Sequence, residues 1–148
     1  MPNKLSEDYI DACIVAKRTV QFLPESPAEL QKRHIYIIKI CYDLSQELDE
    51  VRVSDVAEAI NVTLPSITRN ITTLEEEGYL IKEENSKDKR VVNIRLSEKG
   101  LETYHALIYD FHKKNSEVLS TIPQEDIEIT IKTINKIYQA MEKEYRQD

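Results

Sequence analysis

Apolar side chains recur at helical spacing over most of this chain. Tyr9, Ile10, Cys13, Ala16, Val20 and Leu23 mark a first helix over Leu5–Leu23, with Ser6 as its cap and Pro24 as its stop. Ser26-Pro27-Ala28-Glu29 reads as the start of a second helix: Ser26 caps, Pro27 fits the first position and Glu29 completes a capping box. This helix is expected to run to about Leu48. Its centre, Ile35 to Tyr42, is apolar almost all round, as in a helix buried on several sides.

The pattern changes between Val51 and Gly100. Ser54 can cap a short helix over Asp55–Ile60, and Asn61-Val62 makes a turn. Thr63 caps another helix that tolerates Pro65 in its first turn and ends at Gly78, a residue suited to the left-handed conformation. Tyr79–Glu84 and Val91–Leu96 then read as two strands around a polar turn, Asn85–Lys89, with Val92, Ile94 and Leu96 on one face. Ser97 caps a long helix to about Leu119, where Leu101, Tyr104, Ile108, Phe111, Asn115 and Val118 alternate spacings of three and four. After Pro123 a last helix carries Ile127, Ile131, Ile134, Tyr138, Met141 and Tyr145 at the same spacing, a coiled-coil-like seam. One chain covers such stripes poorly, so self-association through the terminal helices is expected.

The expected fold is therefore mainly α with a small β-hairpin. Residues 51–100 form a winged helix-turn-helix, residues 1–50 supply N-terminal scaffold and dimerisation helices, and residues 101–148 supply C-terminal dimerisation helices. With 2 glycines and 5 prolines in 148 residues, a β-sandwich or barrel is excluded, and no glycine-rich phosphate-binding motif occurs. No stretch approaches the roughly 20 apolar residues of a membrane span, and the first ten residues carry no signal core. Cys13 and Cys41 match neither a zinc nor a disulfide framework. A reduced, cytoplasmic protein without a cofactor is expected.

The net charge of −7 argues against nucleic acid until its distribution is considered. Thr63–Thr73 carries +1 and Asn85–Arg95 carries +3, which leaves −11 on the remainder. A positive tip on an acidic body suits a selective duplex binder. On the second helix of the helix-turn-helix, Ile67, Ile71 and Leu74 would face inward. Ser66, Thr68, Arg69, Asn70, Thr72 and Thr73 are polar, with side chains of the type that meets base edges and phosphates. At the hairpin tip, Lys87, Asp88, Lys89 and Arg90 form the sharpest local signal. In an extended segment residues 88 and 90 share a side, so Asp88 can hold the Arg90 guanidinium for insertion into a minor groove.

These residues also carry a resemblance. Val53-Ser54-Asp55-Val56-Ala57, Ile67-Thr68-Arg69, Leu74 to Leu80, Asp88-Lys89-Arg90 and Leu96-Ser97-Glu98-Lys99-Gly100 together resemble the MarR family of bacterial transcription regulators, over about residues 51–101 in detail. The resemblance implies a homodimer with interlocked terminal helices on a pseudo-palindromic double-stranded DNA operator. It implies reader helices in successive major grooves and wings in the minor groove, with Arg90 as wing arginine and Asp88 as its orienting partner. It also implies a repressor released by a small-molecule effector, an oxidant or a metal. The acidic lead-in Ser45–Glu50 departs from the family pattern.

Tyr36, Tyr42 and Tyr104 are candidates to line a ligand cleft, with ordinary packing as the alternative. Cys13 sits where an oxidant sensor could carry a thiol, but both cysteines lie on apolar stripes, which favours buried, unreactive thiols. His105 and His112, like His34 and Cys41, are seven apart, too wide for one metal without further ligands, so no metal site is expected. No catalytic motif occurs, so no catalytic residue is assigned. The alternatives to an effector-responsive repressor are a metal- or oxidant-sensing regulator of the same fold, or a winged helix that contacts protein rather than DNA.

Overall fold

The computed structural model describes residues 2–146. Helix α1, Asn3–Thr19, passes into a 3-10 turn, Val20–Phe22, before Pro24. Helix α2 is Lys32–Glu47, α3 is Val53–Ile60 and α4 is Leu64–Glu76. Strands β1, Leu80–Glu84, and β2, Val92–Leu96, pair antiparallel with Leu80 opposite Leu96 and Glu84 opposite Val92. Helix α5, Glu98–Tyr104, continues through a π-helical turn, His105–Tyr109, into α6, Asp110–Leu119. Helix α7 is Gln124–Tyr145. The mainly helical fold with a two-stranded wing is the one the pattern predicts.

The chain divides into two compact units, residues up to Phe111 and residues from His112. The first holds one core. Val56, Ala57, Ile67, Ile71 and Leu74 of the helix-turn-helix, Tyr79, Leu80 and Ile94 of the hairpin, and Tyr104 and Ile108 all share it with Ile37, Ile38 and Cys41 of α2. Helix α2, grouped by sequence with the N-terminal scaffold, is thus a structural part of the winged core. Val51 accepts a hydrogen bond from the Ile94 amide at 2.8 Å, and Arg52 bridges Asn93, so the segment before α3 lies along β2.

Local chemistry explains most boundaries. Thr63 accepts from the Ser66 amide and caps α4. Asn61 takes the left-handed conformation between the two helices, with φ 59°. At the other end of α4, Gly78 has φ 84°, its amide bonds to Glu75 and the Tyr79 amide bonds to Leu74, the paired closure of a Schellman motif. Ser97 caps α5 by accepting from the Gly100 amide at 3.0 Å.

The structure departs from five expectations. Ser6 does not cap the first helix: α1 begins at Asn3, after Pro2, and Ser6 lies within it. Ser26 does not start a helix: α2 begins at Lys32, where Gln31 and His34 form the capping box. Glu29 is drawn instead to the Tyr79 hydroxyl, 2.6 Å away, and Ser26 Oγ is buried without a hydrogen-bond partner. Helix α3 is capped by Arg52, not Ser54, with Asp55 accepting from the Arg52 amide. On β2, Ile94 is buried and Leu96 half-buried, but Val92 is exposed and Asn93 is buried in its place. The long helix from Ser97 is interrupted by the π-turn, just after Tyr104, which stacks on Tyr42 with centroids 3.8 Å apart.

The terminal helices remain uncovered. Leu5, Ile10, Ile14 and Val15 of α1 are exposed, as are Ile131, Ile134, Tyr138, Met141 and Tyr145 of α7. Among the described residues no helix is long and apolar enough to cross a membrane.

Candidate nucleic-acid interface

Helix α4 fixes its polar face by burying the opposite one: Ile67, Ile71 and Leu74 are each 1 % exposed or less. Thr68 and Arg69 are exposed, and Ser66, Asn70, Thr72 and Thr73 half-exposed. Ser66, Arg69, Asn70 and Thr73 line one polar groove of about 490 Å³, joined there by Arg33 of α2. Thr68 lies apart from them, in a second groove shared with Arg52, Lys82 and Val92. Several hydroxyls are turned back to their own helix: Thr68 donates to Leu64 O at 2.7 Å and Thr73 to Arg69 O at 3.2 Å. Thr72 accepts from Lys82 at 3.5 Å.

Asn70 is held most firmly. Its Nδ2 donates to Ser66 O at 3.1 Å and its Oδ1 accepts from Arg33 Nε at 3.0 Å. His34 is buried, and its Nδ1 accepts from the Gln31 amide at 3.0 Å. Burial, helped by the Arg33 charge, lowers its pKa and keeps the ring neutral.

The wing tip is a built turn, not an extended segment. Asn85 is buried where the hairpin begins, and its Oδ1 accepts from the amides of Lys87 at 3.0 Å and Asp88 at 3.2 Å. Its Nδ2 donates to Asn93 Oδ1 at 2.9 Å and Glu50 Oε2 at 3.0 Å. Glu50 also accepts from the Ser86 amide at 3.1 Å, and bonding from Ser86 lowers its pKa.

At the tip, Asp88 Oδ1 accepts from the Arg90 backbone amide at 3.0 Å and from Nε at 3.1 Å, while Oδ2 accepts from Nη2 at 3.0 Å. The predicted pairing of Asp88 with Arg90 is present, made by an Asx turn rather than by strand alternation. The bidentate fork leaves the Arg90 side chain 91 % exposed. The Arg90 hydrogen bonds hold the Asp88 carboxyl below its ordinary pKa. Lys87 and Lys89 stand exposed on either side.

The model of the MarR family matches residues 43–92. Three solved structures share the fold over nearly the whole chain. The DNA complex of Streptococcus pneumoniae FabT is 23 % identical, with a TM-score of 0.61 over 95 % of this chain and 94 % of that one. The S. aureus MepR–DNA complex is 18 % identical, with a TM-score of 0.64 over 95 % and 99 %. The PcaV transcriptional regulator from Streptomyces coelicolor, in complex with its natural ligand, is 17 % identical, with a TM-score of 0.63 over 95 % and 93 %.

The reader helix and the wing lean on supports that sequence reasoning missed. Asn85 and Asn93 are signalled weakly, one as a turn residue and the other as a polar break in an apolar strand. Glu50 and Arg33 lie 35 and 37 residues from their partners and carry no local signal.

The remaining candidates separate. Tyr42 and Tyr104 stack, with His105 edge-on to both and to Tyr109, while Tyr36 is 49 % exposed and shares no ring contact with them. Cys41 is buried, which pushes its thiol up to about 12. Cys13 is half-exposed, contrary to the expectation of burial, because α1 buries none of its residues. Among the described residues no three His, Cys, Asp or Glu side chains cluster as a metal site.

Proposed function

We propose that this protein is a non-catalytic, sequence-specific regulator that binds duplex DNA as a homodimer. The observation that carries the reading is the exposed, bidentate Asp88–Arg90 pair on a braced wing, in the same compact unit as a helix that presents Ser66, Arg69, Asn70 and Thr73. A guanidinium locked by its own carboxylate loses less rotamer freedom when it enters a narrow, negative groove. The family match and the DNA complexes among the similar folds support the same reading.

The dimer is proposed because α1 and α7 each leave an apolar stripe in water, which a second copy would cover. Within this reading the chain represses from a pseudo-palindromic operator and is released by a small-molecule effector. The stacked Tyr42 and Tyr104 are the aromatic side chains this reading places beside that effector, with Tyr36 apart from them. Release by a metal has no cluster of ligands to support it among the described residues.

The test is selection of duplexes from a random DNA library. Enrichment of an inverted repeat with half-sites about 10 base pairs apart, or a multiple of that, is expected. Absence of any enriched sequence would overturn the proposal in favour of a winged helix that contacts protein.

A further inference from the structure

Arg33 is the cation that the sequence did not single out. It lies at the start of α2, outside the helix-turn-helix, yet its guanidinium lines the reading groove beside Arg69. No carboxylate lines that groove. Among the described residues neither Arg33 nor Arg69 is ion-paired, whereas Lys39, Lys82, Arg90 and Arg95 each pair with an acid. Two uncompensated arginines in one groove, on a chain of net charge −7, repel each other unless an anion lies between them. Only neutral amides hold Arg33: Nε donates to Asn70 Oδ1 and Nη1 to Gln31 Oε1. That orients the guanidinium without neutralising it.

Asn70, for its part, has both ends of its amide engaged inside the protein, with Ser66 O on one side and Arg33 on the other. A bidentate reading of adenine needs both ends aimed at a base edge. We infer that Arg33 is a DNA-phosphate contact of the reading surface, and that Asn70 is a positioning residue that holds Arg33 rather than a reader of adenine. This rests on the DNA-binding reading above and assigns roles within it.

The experiment measures affinity for the selected operator across a salt series, together with the base preference at each position of the site, for the full-length chain. Arg33→Ala should weaken binding about tenfold at fixed salt and flatten the salt slope by about one unit, with base preferences unchanged. Arg33→Lys keeps the charge and should retain the slope, which separates lost charge from damaged folding. Asn70→Ala should also leave base preferences unchanged, and its effect should largely vanish in the Arg33→Ala background, because it acts through Arg33.

The inference is overturned if Arg33→Ala leaves the slope intact, or if Asn70→Ala relaxes preference at one position and adds fully to Arg33→Ala. If the unaltered protein selects no sequence at all, the DNA-binding reading fails and this assignment fails with it. Selection by the unaltered protein with an indifferent Arg33→Ala fails the assignment alone.

Discussion

The Tyr79 hydroxyl donates a 2.6 Å hydrogen bond to Glu29 Oε1, which ties the residue before β1 to the segment before α2. Lys99 sits over the Tyr79 ring at 4.3 Å from its centroid and 3.9 Å from the same carboxylate oxygen. Loss of water around Tyr79, together with Glu29, pushes the phenol up to about 12, and the Tyr79 bond lowers the Glu29 pKa. Tyr79→Phe keeps the ring but leaves Glu29 without this donor. It should lower Tm by a few degrees, read by thermal unfolding. Because the Glu29 pKa is depressed, the difference from the unaltered protein should be full near pH 7 and shrink as pH falls through the carboxylate range.

The wing depends on Asn85 in the same way. Asn85→Ala would strand the Asn93 carbonyl and two turn amides that it now satisfies. A cost of about 1–3 kcal/mol is expected in urea unfolding, the usual penalty for buried polar groups left unpaired. Specific DNA affinity should fall further than that of a surface control such as Ser116→Ala, because the tip loses its shape.

Arg90→Ala should weaken operator binding about five- to 150-fold. Asp88→Ala tests the fork directly. It removes a negative charge from the tip and frees Arg90, so bulk DNA binding should hold or rise while the ratio of specific to bulk affinity drops. Since Arg90 depresses the Asp88 pKa, the pair should persist until pH falls below the ordinary carboxylate value of about 3.9.

His34 gives a pH dependence of the opposite practical range. It is buried neutral with a lowered pKa, and its Nδ1 accepts from the Gln31 amide. Its contribution is present above the unfolded value of about 6.5 and is lost as pH falls from there towards the lower folded value. Stability should therefore decline on acidification below about pH 6.5, and His34→Gln should flatten that decline in unfolding curves taken between pH 5 and 7.5.

Ile131→Glu combined with Ile134→Glu places charge on the exposed stripe of α7. In sedimentation the unaltered chain should run as a dimer and the double variant at half its mass. An unchanged mass would place the dimer contact elsewhere.

Where sequence predicted well, the determinants were local. Thr63, Pro65 and Gly78 define α4 through contacts within a few residues, and the burial of Ile67, Ile71 and Leu74 follows from their spacing. The Leu96–Gly100 signature has a local and a tertiary half. The Ser97 cap is legible, but the need for glycine at 100 is not: a Cβ there would lie 2.2 Å from the Tyr79 carbonyl oxygen. The failures share one cause. Ser26–Glu29 has a sound capping box, yet Glu29 is engaged by Tyr79, fifty residues on, and Gln31 with His34 caps the helix instead. The π-turn at His105–Tyr109 answers to no pattern in its own residues, and the wing braces depend on Glu50, which no hairpin rule would nominate.

The sharing of one core between α2 and the winged elements also bears on how such proteins can be recombined. Ile37, Ile38 and Cys41 pack in the same cluster as Ile67, Ile71, Leu74 and Ile94. A chimera that transplanted residues 51–100 alone would carry the reader and the wing but leave behind the wall they are built against. The smallest portable unit begins ahead of Lys32 and runs through Ile108, so new specificity in this scaffold is better obtained by changing single side chains on α4 and the hairpin than by exchanging the segment that bears them.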